Sequence, residues 1–396
     1  MGADSPIGLT VIRELGGKGV PVYGLAWSER GLGLYSRFLS RGFIREKADN
    51  LIMQINQLGK ESGAKFIMAV SEDDILFLQE HSNDLKGIKP LVPDVSSFTN
   101  VLNKNKTYEI AQSLDIRVPK TWQLEHFSDI DKIADQLNYP LVLKWANPFV
   151  VRDELSSIGF KLEKLRYIYS LHELKGYFER LDIIKKFPMI QEFASGCGLG
   201  QMFFMHEGEV VLRFQHKRLA EWPPEGGVSA VCESLAVTEN SELQLKSIQL
   251  LKALNWSGPA MVEYRYDTET EEAVLMEING RLWGSLPLAY SAGAHFAWAS
   301  YACNVLGQTP LNVSYKSGIT SRFFVPEIKR LFVILFKQNS IQNRQLKFEK
   351  VNESISFIAG YFKPKHYWYV FSIDDPKPFF KDMQYIIKSV FNKIIA

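Results

Sequence analysis

Apolar and polar positions follow two rhythms along this chain, and the changes of rhythm mark its parts. In the first hundred residues, helical and strand-like spacings take turns. "PIGLTVIRELGGKGV" has the helical spacing and closes on Gly16-Gly17, "PVYGLA" reads as a strand, and "NLIMQINQLGKES" as a helix. "AKFIMAV" is again a strand, and "SEDDILFLQEH" again a helix. Strands alternating with helices predict a parallel sheet. Such units normally begin with a strand, yet this one opens on a turn and a helix, "MGADSPIGLT". Either the start is shortened or the sheet lacks that strand.

Beyond the loop "KPLVPDVSS" the pattern predicts a helix, "NKNKTYEIAQSLDI", ended by "RVPKTW". "YPLVLKWANP" is a buried strand with one lysine, Lys144, near its end. "FPMIQEFASGCGLGQMFFMHEGEVVLRFQHKR" reads as strand, glycine-rich connection, strand, turn at Glu207-Gly208, and strand. An amphipathic helix, "SELQLKSIQLLKALN", precedes a hairpin, "GPAMVEYRYD" and "AVLMEINGR" about "TETEE". No internal repeat appears. The expected organisation is a small α/β domain over 1–100, two subdomains over 101–190 and 191–310, and a basic, aromatic extension over 311–396.

Composition changes this picture little. The chain has 396 residues, 46% of them hydrophobic, with a formal net charge of +2, as in an ordinary globular protein with room for several cores. Net charge near zero removes the simplest argument for a nucleic-acid partner. Three widely spaced cysteines, Cys197, Cys232 and Cys303, predict reduced thiols rather than a disulfide framework or a metal knuckle. No stretch approaches the ~20 apolar residues of a membrane span, and no charged-then-apolar leader pattern opens the sequence, so a cytoplasmic location is expected. The charge is uneven, however: residues 311–396 carry 14 Lys/Arg against six Asp/Glu.

The candidate chemistry lies in the hairpin. In "VLMEINGRLWG", Glu277, Asn279 and Arg281 alternate with apolar residues, so a strand projects all three from one face. Folding about 269–271 sets Glu263 opposite Glu277, give or take one residue. Val262, Tyr264, Val274, Met276 and Ile278 then share one face, and Glu263, Arg265, Glu277 and Asn279 the other. Cross-strand neighbours lie ~4.5–5.5 Å apart. Two carboxylates that close repel unless one is protonated or a cation sits between them. A divalent ion with hard oxygen ligands suits Glu263, Glu277 and Asn279, and Mg²⁺ shares its remaining positions with phosphate and water. Mn²⁺ is an alternative ion. Arg281 would hold an anionic group beside it. The plainer reading is a solvent-facing edge on which Arg265 pairs one glutamate.

Cations for a nucleotide are available. Lys144 closes a buried strand, where its ammonium would point into a cleft. Lys106 opens the helix "NKNKTYEIAQ", and Lys104 competes with it because register read from sequence is loose. "MIQEFASG" fits an extended linker whose backbone reads an adenine edge. In "FQHKRLAEWPPEGGVSAVCES", His216, Lys217 and Arg218 lead to Gly226-Gly227 and Ser229, a loop suited to a carboxylate or acyl phosphate. A polar hairpin loop is its plainer reading.

The order of these pieces resembles the ATP-grasp superfamily over roughly residues 5–310, and most of all its carboxylate–amine ligase branch. The resemblance implies an α/β fold, α+β in the ATP-grasp part. A small parallel-sheet domain precedes a two-subdomain ATP-grasp unit, and a C-terminal helical and aromatic extension follows. It further implies that Lys106 and Lys144 bind ATP phosphates. Glu192, Phe193 and Ala194 would form the adenine hinge, Glu263, Glu277 and Asn279 would hold Mg²⁺, and Arg281 would steady the transferred phosphate. His216, Arg218, Gly226, Gly227 and Ser229 would face the substrate. Two departures stand out. "NPFVVRDELSSIGF" offers only Gly159 where a phosphate lid is usually glycine-rich, and "GCGLG" lacks the acid that often holds the ribose.

The implied reaction activates a small-molecule carboxylate as an acyl phosphate for attack by an amine, with ADP released. Alternatives are another ATP-grasp chemistry, carboxylation or carbamoyl-type, or a non-catalytic nucleotide-binding protein. A dinucleotide oxidoreductase lies far behind, since the first domain has no G-x-G-x-x-G. In the last segment, Phe380, Met383, Ile387, Val390, Phe391 and Ile394 follow one helix face. Packing of that face on the protein's own core is the favoured expectation, with docking on an anionic membrane as the alternative.

Overall fold

The computed structural model describes residues 1–145, 148–163, 165–310 and 314–395. In the first hundred residues, β1 (Tyr23–Ala26) pairs in parallel with β2 (Arg41–Ile44), and β3 (Phe66–Met68) with β4 (Lys89–Leu91). The parallel α/β reading of this part holds. Its helices begin where side chains satisfy free backbone amides: Ser5 Oγ accepts from Gly8 N, and Ser71 Oγ from Asp74 N. The two pairs remain separate sheets. An apolar cavity of about 380 Å³ lies against both, lined by Ile12, Leu25, Ile55, Phe66 and Ile88 among others.

A four-stranded antiparallel sheet follows, made of β5 (Thr121–Trp122), β6 (Leu141–Lys144), β7 (Arg166–Ile168) and β8 (Met189–Glu192) in the order β5-β8-β6-β7. Leu141, Leu143, Phe178 and Ile190 centre its own core. The segment noted for its poverty in glycine forms a helix over Pro148–Ser157, while Ala146 and Asn147 lie outside the described residues.

The large sheet comprises β9 (Cys197–His206), β10 (Glu209–Trp222), β11 (Val228–Ser234), β12 (Gly258–Tyr266), β13 (Ala273–Asn279), β14 (Thr320–Arg322) and β15 (His366–Trp368). Its order is β13-β12-β9-β10-β11-β14-β15. The run "MFFM" in β9 is apolar without alternation because this strand is covered on both faces. Phe203 and Met205 join Leu51, Phe98 and Tyr264 in one core, while Met202 and Phe204 join Leu9, Phe214 and Trp283 in another. The first of these cores reaches into the N-terminal α/β part, so that part and the large sheet are packed as neighbours.

The region beyond 310 contributes β14 and β15 to the large sheet, and Tyr369 and Val370 to its core. Asp375, 1% exposed, ties it to the N-terminal part: it accepts from Arg13 Nε at 3.0 Å, Ser36 Oγ at 2.7 Å and Arg37 N at 2.9 Å. The final helix, Lys377–Ile395, departs from the expected packing. Phe380, Ile387 and Phe391 are 61%, 68% and 61% exposed, because Phe379 and Tyr385 make the inward contacts instead. The side chains of Val390 and Ile394 lie outside the described residues. Among the described residues, no helix is long and apolar enough to cross a membrane, and the three cysteines are free thiols.

Candidate active site

The β12–β13 ladder sets Glu263 directly opposite Glu277. A bulge follows at once: Tyr264 pairs with Leu275 and Arg265 with Val274, so Met276 is the extra residue on β13. This corrects the expected faces: Leu275 joins Val262, Tyr264 and Ile278 in one core, whereas Val274 is buried outside that cluster and Met276 is only half-buried. The bulge leaves the Met276 carbonyl to accept from Tyr108 OH at 2.8 Å.

That tyrosine starts a chain of contacts between the two sheets. Gln191 Nε2 lies 3.4 Å from Tyr108 OH, and Gln191 Oε1 accepts from Lys144 Nζ at 3.1 Å. Lys144 at the end of β6 thus reaches the neighbourhood of Glu277 on β13 through one amide and one phenol. Neither Gln191 nor Tyr108 was anticipated from the sequence. The signal for Gln191 was present, as a lone amide inside the buried strand "MIQE", 3% exposed.

The helix Lys104–Ser113 is capped by Asn103, whose side chain accepts from Lys106 N. The cap fixes the lysine register. Lys104 Nζ lies 3.3 Å from Glu277 Oε2, whereas Lys106 Nζ donates to Asn100 Oδ1 at 2.8 Å. Asn279 Nδ2 approaches Glu277 Oε1 at 3.4 Å, and Asn279 Oδ1 accepts from Arg281 Nη2 at 3.1 Å. Arg281 Nε donates to Glu72 Oε1 at 3.0 Å, so the N-terminal part supplies the other anchor of that guanidinium.

Glu263 meets a different cation. Arg218 Nη2 donates to its Oε2 at 2.7 Å, and Arg218 Nη1 donates to Glu221 at 2.9 Å and to the Gly227 carbonyl at 3.1 Å. Arg265 donates to the other oxygen of Glu221 at 2.9 Å. Burial opposes the Arg218 charge, and the Glu263 and Glu221 carboxylates outweigh it, raising its pKa. Burial likewise opposes the Glu221 charge, and Arg265 and Arg218 more than offset it, so Glu221 titrates below its ordinary range.

The remaining loop residues are also placed. Gly226 has φ 134°, and a Cβ on Gly227 would lie 2.1 Å from the Trp222 carbonyl oxygen, so this turn requires both glycines. Ser229 stands opposite Glu221 in the β10–β11 ladder and shares a hydrogen bond with Tyr369. Tyr369, which sequence reasoning did not single out, also lies 3.0 Å from Cys232 Sγ. His216 is 1% exposed; burial, with Arg218 nearby, lowers its pKa to about 3, and it is neutral. Its Nδ1 has no partner, and its Nε2 lies 3.4 Å from Ser285 Oγ.

Glu192 ends β8 of the smaller sheet, and Phe193 and Ala194 begin the connection to β9 of the larger one. Glu192 N donates to the Lys120 carbonyl at 2.8 Å, and the Phe193 ring packs against Tyr167 with centroids 5.9 Å apart. Gly196 ends the connection with φ 90°, where a Cβ would meet the Tyr266 carbonyl oxygen at 2.1 Å.

The residues present suit Mg²⁺. The two carboxylates and the Asn279 amide lie on neighbouring strands and are hard-oxygen donor types, with Lys104 and Arg218 now on the carboxylates and Arg281 on the Asn279 oxygen. No cluster of three or more His, Cys, Asp or Glu occurs among the described residues. An ion here would draw its other ligands from water and phosphate oxygens, as Mg²⁺ commonly does.

The smaller sheet, joined to the larger by a short connection and linked to it through Lys144, Gln191 and Tyr108, is the arrangement of the ATP-grasp fold, and the chain adopts it. Solved structures agree. A biotin carboxylase from Campylobacter jejuni, as a β,γ-ATP complex, matches at 15% identity and TM-score 0.62, over 80% of this chain and 73% of that one. The biotin carboxylase domain of 2-oxoglutarate carboxylase from Hydrogenobacter thermophilus, in complex with Mg-ADP, ADP and bicarbonate, matches at 13% and 0.60, over 80% and 72%. An L-amino acid ligase from Bacillus licheniformis matches at 18% and 0.52, over 76% and 72%. No protein-family model matches the sequence, and no curated protein matches it.

Proposed function

We propose that this protein is an ADP-forming ligase that uses Mg-ATP to activate a carboxylate as an acyl phosphate for attack by an amine. The observation that carries the reading is the convergence of Lys144 from one sheet on the Glu263–Glu277–Asn279 face of the other, through Gln191 and Tyr108. Cations and carboxylates from two sheets facing one cleft are what a nucleotide triphosphate and its metal require. Neighbours of the same fold crystallised with Mg-ADP and as a β,γ-ATP complex support it.

In this reading Glu263, Glu277 and Asn279 hold Mg²⁺. The ion, when bound, neutralises phosphate charge and polarises the phosphoryl oxygens. Lys144 and Lys104 bind phosphate oxygens, while Phe193 and Ala194 offer backbone groups to the adenine edge. Arg281, held from two sides by Asn279 and Glu72, stabilises charge on the transferred group. The loop from Arg218 to Ser229 receives the carboxylate substrate. Lys106, whose ammonium donates to Asn100 Oδ1, adds a supporting charge at the helix start in this reading rather than a direct contact.

The steps balance without a covalent enzyme intermediate. A carboxylate oxygen bonds to the γ-phosphorus of ATP as its bond to the ADP oxygen breaks. The amine nitrogen then attacks the acyl carbon, loses a proton to water, and expels phosphate, leaving an amide. Positioning and charge neutralisation supply most of such catalysis. The buried, neutral His216 is not a cation in this scheme, and its ring packs so close to Gly200 that a Cβ there would meet Nε2 at 2.6 Å.

The test is phosphate release with Mg-ATP across a panel of amino acids and small carboxylates, with and without amines. Release that needs both a carboxylate and an amine supports the reading. Release driven by bicarbonate alone identifies carboxylation chemistry instead. ATP binding with no stimulated release by any substrate identifies a non-catalytic binder.

A further inference from the structure

The helix Lys350–Gly360 is amphipathic in the wrong direction for a core element. Its glutamate, Glu353, turns inward and accepts from Arg330 at 2.7 and 3.3 Å. Its apolar row faces out: Val351, Ile355, Ile358 and, just past its end, Phe362 are 69%, 59%, 60% and 84% exposed. Their spacing of four, three and four residues is that of a single helix face. The preceding helix, Phe324–Phe336, repeats the feature, with Ile328, Phe332 and Phe336 exposed four residues apart. Isolated exposed apolar residues need no explanation, but a complete row does.

Charge indicates what covers it. Lys347 and Lys350 stand exposed at one end of the row, and Lys363 and Lys365 at the other. From 324 to 365, Glu349 is the sole exposed carboxylate, since Glu327 is buried and Glu353 half-buried against Arg330. A second copy docked on this face would bring lysines against lysines. An anionic bilayer meets both halves of the pattern, apolar residues entering the acyl boundary and lysines reaching the headgroups.

We propose that the outward row Val351–Ile355–Ile358–Phe362, with its flanking lysines, docks this protein on an anionic membrane surface. The helix then lies in the interface plane and does not span it. The mode is reversible and salt-dependent, because one short helix buries few apolar groups and the lysine contribution is screened.

Co-sedimentation of the full chain with phosphatidylglycerol-containing vesicles and with pure phosphatidylcholine vesicles tests this. Binding to the anionic vesicles should exceed binding to the neutral ones by ~10-fold or more, and should weaken as salt rises. Ile355→Asp and Phe362→Asp, both at exposed positions, should abolish it while leaving the thermal melt unchanged. Lys363→Glu with Lys365→Glu should reduce it several-fold and flatten the salt dependence. Equal binding to both vesicle types, or no loss in the aspartate variants, overturns the proposal. So does a dimer in sedimentation analysis that Ile355→Asp converts to monomer, since a second copy would then cover the row. The outcome is independent of the reaction proposed for the cleft, because none of these residues lies in it.

Discussion

Arg218 grips Glu263 at 2.7 Å while Lys104 meets Glu277 at 3.3 Å, so each carboxylate of the cross-strand pair has its own cation. The two ends differ in burial. The Glu263 and Arg218 side chains are 15% and 11% exposed, whereas Glu277 and Lys104 are 41% and 39% exposed. The Glu277 end is therefore the open one, where a metal–phosphate complex enters with least rearrangement. Glu277→Gln removes charge and keeps volume. It should lower ATP turnover by ~100-fold or more with an unchanged melt. Wild-type phosphate release from this variant would remove the carboxylate pair from the site.

The lysines give a second prediction. Lys144→Ala and Lys104→Ala should each weaken ATP binding by about tenfold, near 1.4 kcal/mol, since each deletes a charge from the cleft. Lys106→Ala should leave affinity within about twofold, because its ammonium is engaged with Asn100 on the exposed surface. Calorimetric titration with a non-hydrolysable ATP analogue decides among them, and a larger effect at Lys106 than at Lys104 would reverse the assignment.

Arg281 is positioned by three acceptors, Glu72 Oε1, Asn279 Oδ1 and the Leu282 carbonyl, and a guanidinium fixed in advance is most valuable where charge develops. Arg281→Ala should lower kcat by ~100-fold with a small change in the KM for ATP. The reverse pattern, KM alone rising, would mean that Arg281 binds the ground state.

The Glu263–Glu277 facing could be read from sequence because a carboxylate in an apolar strand is conspicuous, and strand periodicity then sets its face. The bulge could not, since it depends on the Met276 carbonyl finding Tyr108, 168 residues away. The lysine register failed to resolve for a local reason. Two residues along a helix turn a side chain by roughly 200°, so Lys104 and Lys106 point apart, and only the Asn103 cap says which faces the strand. Tyr369 and Glu72 reach the site from opposite ends of the chain, and no spacing rule joins them. The terminal helix shows the complementary error: periodicity identified a face over Phe380, Ile387 and Phe391 but not its direction.

Asp375 holds the C-terminal region to the N-terminal part through Arg13 on the first helix and through Ser36 and the Arg37 amide beyond it. Asp375→Ala leaves the Arg13 guanidinium buried without its carboxylate, a loss of about 3–5 kcal/mol. Urea unfolding should show it, along with easier proteolysis after residue 370. A midpoint equal to that of the wild type would mean that this region is anchored by β14, β15 and Tyr369 alone.

The final prediction concerns Glu14, 2% exposed on the first helix, where Oε1 accepts from Trp298 N at 2.6 Å and Oε2 has no partner. Burial raises its pKa to about 8, against the smaller opposing pull of the Trp298 amide and Lys18. The folded state therefore keeps a proton that the unfolded chain releases near the ordinary value of 4.5. Stability from this group is present in full below that value and is lost as pH rises through the window to about 8. The slope approaches ~1.4 kcal/mol per pH unit. Glu14→Gln has no proton to release, so relative to the wild type it should gain about 2–3 kcal/mol between pH 5.5 and 7.5. Urea unfolding of both proteins at the two pH values measures the difference. A gap that stays constant would mean that Glu14 is ionised in the fold and that Lys18 and the Trp298 amide satisfy it.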